Sequence, residues 1–149
     1  MAAACACFHL RRAARAVTRR YDARLASIGL RATQLTVLSA VNLRGELHLT
    51  GLADVLAIEQ SALSRTVALL KRRKLLRAEA GADRRTQRLV LTRAGRVAIE
   101  RAFPIWQELQ REIEERTMPV ALERALAAVH DLGDAAPKPR KKRASAVYG

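Results

Sequence analysis

A mainly α-helical fold broken once by a small β-wing is what this 149-residue sequence predicts. Three observations carry that expectation. Aromatic residues make up only 3% of a chain that is 50% apolar, so Leu, Ala and Val must pack the core, which favours helices over a sandwich or barrel. Apolar residues recur at steps of three and four along most of the chain. The exception is a pair of strand-length segments flanking a Gly- and Asp-bearing connection between residues 75 and 91. The length suffices to bury one compact core.

From Cys7 the apolar positions run Cys7, Leu10, Ala14, Val17, Tyr21, Leu25 and Ile28, a helical stripe. Arg11, Arg12, Arg15, Arg19, Arg20 and Arg24 fill its other faces, and Gly29 ends it. Thr33 is placed to cap a second helix through about Leu43, with Leu35, Leu38 and Val41 inward. A short extended piece, Glu46 to Leu49, follows. Thr50 then caps a helix holding Leu52, Ala53 and Leu56, and a turn leads into another from about Gln60 to Arg73. Two short helices joined so closely predict a helix-turn-helix. Leu75–Ala80 and Thr86–Leu91 are the strands of the wing, and Gly81–Arg85 is its turn. Thr92 caps a long helix to about Thr117, in which Pro104 predicts a kink. Pro119 suits the first turn of a last helix, leaving Val120, Leu122, Leu126, Val129 and Leu132 for burial.

The formal charge of +14 makes a polyanion the natural partner. Its distribution is local: between Lys71 and Arg96 stand ten basic residues and two acidic ones, whereas residues 31–70 are neutral and 97–137 are net acidic. Within the helix from Gln60, Leu63, Val67 and Leu70 form the inward stripe and leave Gln60, Ser61, Ser64, Arg65 and Ala68 outward, with Lys71 and Arg72 beyond them. Small hydroxyls and an amide approach base edges without steric conflict, and Arg65 can take a bidentate contact to guanine. An arginine at a hairpin tip, here Arg84, suits the negative potential of a narrow minor groove. Helix-turn-helix followed by a basic hairpin thus predicts double-stranded DNA as the partner.

Leu49-Thr50-Gly51-Leu52-Ala53-Asp54-Val55-Leu56, Gln60-Ser61-Ala62-Leu63-Ser64-Arg65-Thr66-Val67, and Asp83-Arg84-Arg85 leading to Leu91-Thr92-Arg93-Ala94-Gly95-Arg96 together resemble the MarR family of winged helix-turn-helix transcriptional regulators. The resemblance spans about residues 5–132. It implies a recognition helix from Gln60 to about Arg73, a wing-tip arginine at Arg84, and an Asp83/Arg85 pair that braces the wing, with Arg88 on its second strand. It also implies an intertwined homodimer built from the first and last helices, in keeping with stripes too long for one small domain to cover. The implied division is a dimerisation helix at 1–30, a DNA-binding lobe at 31–92 and dimerisation helices at 93–135; outside the resemblance, the prolines and charge of residues 136–149 predict a basic, disordered tail. The implied activity is control of transcription, as a repressor, through a palindromic operator. One residue departs from the pattern: Lys74 stands where the family usually has glycine, at a cost of about 1–2 kcal/mol if the backbone there is left-handed.

A small aromatic or phenolic effector is a further implication of the family, with Phe8, Tyr21, Phe103 and Trp106 available to line its pocket or simply to pack. Cys7-Phe8 with Tyr21 fourteen residues later is similar, in part, to the family's peroxide-sensing branch. The second tyrosines expected near Ala32 and at Arg11 are missing, and a packed apolar cysteine is the alternative. A nonspecific architectural nucleic-acid-binding protein remains a third reading. No metal, cofactor or catalytic residue is expected: Cys5 and Cys7 would point about 200° apart on a helix, and His9, His48 and His130 lack ligand spacing. No nucleophile elbow or phosphate loop is present. Two cysteines, no long apolar run and no basic leader predict a soluble protein of the reducing cytoplasm, away from membranes.

Overall fold

The computed structural model describes residues 5–45, 47–80 and 87–135. The elements run α1 (Ala6–Leu25), a single 3-10 turn (Ala26–Ile28), α2 (Ala32–Arg44), β1 (Leu47–His48), α3 (Leu49–Leu56), α4 (Gln60–Arg72), β2 (Leu76–Ala80), β3 (Gln87–Leu91), α5 (Arg93–Thr117) and α6 (Pro119–Ala135). The chain divides into two compact units, one through Leu109 and one from Gln110.

In the first unit, Leu38, Leu52, Leu63, Leu70 and Leu76 are at most 2% exposed and bring α2, α3, α4 and the sheet onto one apolar cluster. The short extended piece before α3 does more than its length suggests: β1 pairs antiparallel with β3, giving a three-stranded sheet of order β1-β3-β2. β2 and β3 are in register from Leu76 opposite Leu91 to Ala80 opposite Gln87, which sends Leu76, Leu89 and Leu91 into the core.

Helix starts depart from the sequence expectation at two places. Thr33 lies inside α2, whose N-cap is Arg31. The exposed N–H groups there are met from elsewhere: Asp22 Oδ1 accepts from Ala32 N–H at 2.7 Å and Gln34 Oε1 from Arg31 N–H at 3.2 Å. Thr50 likewise lies inside α3, whose N-cap is His48, because pairing of β1 holds the preceding residues extended. Thr92 does cap α5, its Oγ1 accepting from Gly95 N–H at 3.0 Å. Gly29 ends the 3-10 turn at φ 70, and α5 continues past Pro104 as one helix.

Large apolar side chains stay uncovered on the terminal helices. On α1 only Leu25 of the predicted stripe is buried, while Leu10 and Val17 are exposed. In the second unit, Val120, Leu126, Val129 and Leu132 of α6 are between 46% and 60% exposed.

Candidate nucleic-acid interface

The α4 helix is anchored by one face and open on the other. Leu63, Val67 and Leu70 are buried, and Gln60, Ser61, Arg65, Ala68, Lys71 and Arg72 are exposed. Ser64 is half-buried and its hydroxyl donates to Gln60 O at 2.7 Å, so its proton is engaged by the helix while its lone pairs stay outward. Gln60, Ser61, Ser64, Arg65, Ala68 and Arg72 therefore share one accessible surface. Lys71 sits at its edge, where α4 turns toward β2.

Arg73 is fixed away from that surface. Its Nη1 donates to Gly29 O at 2.8 Å and to Gln34 Oε1 at 3.2 Å, tying the end of α4 to the junction of α1 and α2. In the sequence Arg73 is one of four consecutive cations, and nothing distinguishes it. The turn after it ends α4 with Lys74 N–H donating to Lys71 O and Leu75 N–H to Leu70 O, both 2.9 Å, and with Lys74 at φ 58. Those are the two bonds of a Schellman stop, formed by lysine where glycine would be unstrained.

The wing is braced by charge pairs on its two described strands. Glu79 Oε1 meets Arg77 Nη2 at 2.6 Å, and Glu79 Oε2 meets Arg88 Nη2 at 3.7 Å across the β2–β3 register. Arg88 is thus turned onto its neighbouring strand. Asp83, Arg84 and Arg85 lie outside the described residues. At the wing's base, Thr92 Oγ1 donates to Lys74 O at 2.7 Å, and a Cβ on Gly95 would overlap Leu75 O. The Leu-Thr-x-x-Gly signature is therefore the joint between wing and α5: the threonine clamps the turn, and the glycine admits a carbonyl against the helix.

Cys7 and Tyr21 are both on α1, a continuous helix, so fourteen residues separate them by about 21 Å along its axis. Within one chain they do not meet. Both cysteines are free and exposed. Tyr21 packs against the core cluster, and burial pushes its phenol above the ordinary value. Phe103 and Trp106 stack with ring centroids 5.9 Å apart on α5, and Phe8 lines a shallow depression along α1 together with Arg11, Arg12, Arg15 and Arg19. A separate cleft of about 570 Å³ opens between the α1–α2 junction, the end of α4 and the start of α5. Ile28, Leu30, Leu75 and Val97 form its apolar lining, and Arg73, Arg93 and Arg101 its charge. Among the described residues no cluster of His, Cys, Asp or Glu could hold a metal ion, and no helix is long and apolar enough to cross a membrane.

Comparison with known proteins agrees with this geometry. A model of the MarR family matches residues 28–86. The M. tuberculosis transcriptional regulator MosR, solved in complex with DNA, is 34% identical, with 88% of this chain and 97% of MosR covered and a TM-score of 0.76. BpsR of Bordetella bronchiseptica, whose DNA binding is regulated by 6-hydroxynicotinic acid, is 25% identical over 89% of this chain and 96% of its own, with a TM-score of 0.81. A mutant MarR from E. coli on operator DNA, 18% identical over 83% of this chain and 89% of its own, shares the fold with a TM-score of 0.77. No curated protein matches. On the family model and the likeness to MosR over nearly its full length, the chain belongs to the MarR family of winged helix-turn-helix transcriptional regulators.

Proposed function

We propose that the protein represses transcription as a homodimer, setting two copies of α4 in successive major grooves of a palindromic operator until a small effector releases it. The observation that carries this reading is the open face of α4, where an amide, two hydroxyls and two arginines stand over a buried leucine and valine stripe. Such a face is rigid enough to read base edges and polar enough to do so. The bare apolar stripes of α1 and α6 support the homodimer, since an isolated chain would leave them in water. Likeness to MosR on DNA supports the partner. A DNA partner goes with a cytoplasmic location in bacteria.

The regulated DNA binding of BpsR supports a small aromatic acid as effector class. In this chain the cleft bearing Arg73, Arg93 and Arg101 over an apolar lining suits such a molecule. Its occupation would bias the recognition helices between competent and incompetent separations.

Selection of bound sequences from a random DNA pool tests the reading. A two-fold symmetric site with half-sites about one helical turn apart is the expected result. Enrichment without symmetry would favour a nonspecific polycation. Arg65→Ala is expected to relax preference at one base pair, at about 1–3 kcal/mol, whereas Arg84→Ala should weaken binding across sequences.

A further inference from the structure

Lys74 occupies a backbone conformation that glycine would hold without strain. It sits at φ 58, and both hydrogen bonds of the helix stop form around it. Among the described residues Ala57 and Met118 share a positive φ, and Lys74 is the one of the three that carries a charge, which directs attention to what that charge does.

Lys74 lines a hollow of about 560 Å³ between the end of α4, strand β2 and the start of α5. Lys71, Lys74 and Arg77 bring three cations to it, Leu76 and Thr92 also line it, and among the described residues no acidic one does. Arg77 is held by Glu79 at 2.6 Å, and that carboxylate also meets Arg88, so the surroundings remain net positive. The Thr92 hydroxyl is already donated to Lys74 O. Recognition in the hollow therefore rests on charge. The hollow lies where α4 passes into the first wing strand, and it shares Lys71 with the edge of the accessible face of α4.

We propose that the hollow seats a backbone phosphate of DNA, with Lys74 and Lys71 as its cations and Arg77 flanking. The proposal rests on the DNA-binding reading above and adds a site to it. Lysine suits the task, because its ammonium is a point charge that neutralises phosphate without demanding a planar fit. Such a contact positions the protein and carries no sequence information. Its signature is a contribution of about 0.9 to the slope of log K against log salt.

The test measures binding of the full chain to mixed-sequence duplex DNA by fluorescence anisotropy over a salt series, beside thermal unfolding. Lys74→Arg is expected to keep the wild-type slope. Lys74→Ala and Lys74→Gly should weaken binding severalfold at moderate salt and each flatten the slope by about 0.9. Lys74→Gly alone should also raise the unfolding midpoint by a few degrees, since it removes the left-handed strain. A variant that is more stable and binds less tightly separates a phosphate contact from a structural role. Wild-type slopes in both Lys74→Ala and Lys74→Gly, with the unaltered chain binding duplex, would overturn the site alone. Failure of the unaltered chain to bind duplex at low salt would instead remove the DNA-binding reading, and this site with it.

Discussion

Thr92 and Gly95 show how two residues join a wing to a helix. The Thr92 hydroxyl accepts from Gly95 N–H at 3.0 Å and donates to Lys74 O at 2.7 Å, so one side chain closes both the start of α5 and the turn out of α4. A methyl group at Gly95 would overlap Leu75 O and come within 2.7 Å of Leu91 Cδ2, and the carbonyl, being backbone, cannot move aside without shifting the turn. Gly95→Ala should therefore cost about 1–3 kcal/mol in urea unfolding. Tyr21 gives a pH signature at the same scale. Burial favours its neutral phenol in the folded state, raising its pKa above the unfolded 10.0. Its contribution is intact below that value and is lost as pH climbs through the folded pKa, so stability should fall with alkalinity there. A Tyr21→Phe variant compared with wild type above pH 10 isolates the loss. The cap at Thr92 was readable from sequence because its partner is three residues away. The cap of α2 was not, since Asp22 reaches it from the preceding helix.

At the scale of elements, the position of α4 depends on contacts from three directions. Leu63, Val67 and Leu70 seat its inner face, the Lys74 turn sets its exit, and Arg73 fastens its end to Gly29 O and Gln34 Oε1. Arg73→Ala should destabilise the lobe by about 1 kcal/mol, the two bonds being partly solvent-screened, and loosen the end of α4. Hydrogen exchange at Leu70 and Arg73 amides, faster in the variant, is the check. The helices and both wing strands were legible as periodicity, to within a residue or two except at the end of α1, where the stripe runs on to Ile28 but the helix gives way to a 3-10 turn after Leu25, because helix and strand repeat differently and the core reads that repeat. Pairing of β1 with β3 was not legible: two residues are too few to carry a period, and their partner lies about forty residues on.

At the scale of the whole molecule, large apolar side chains are left uncovered. Phe8, Val17, Phe103, Trp106, Leu126 and Val129 are all exposed in the single chain. Association of two copies through the terminal helices would remove that area from water, at about 25 cal/mol for each apolar Å². Trp106 is the chain's one tryptophan and is 40% exposed. Its fluorescence should shift to the blue on going from dilute to concentrated protein, in step with the mass measured by light scattering. An emission independent of concentration in a monomeric protein would oppose the dimer.

By itself the sequence determined the order of helices and strands, the inward stripe of α4 and the local excess of cations, because each is a property of neighbours along the chain. Only the tertiary structure separated those cations by task. Arg73 went to a latch, Arg77 and Arg88 to Glu79, and Lys71 and Lys74 to one hollow. A charge has no period and no direction until the backbone has folded around it, so what it faces is decided by residues far away in the sequence.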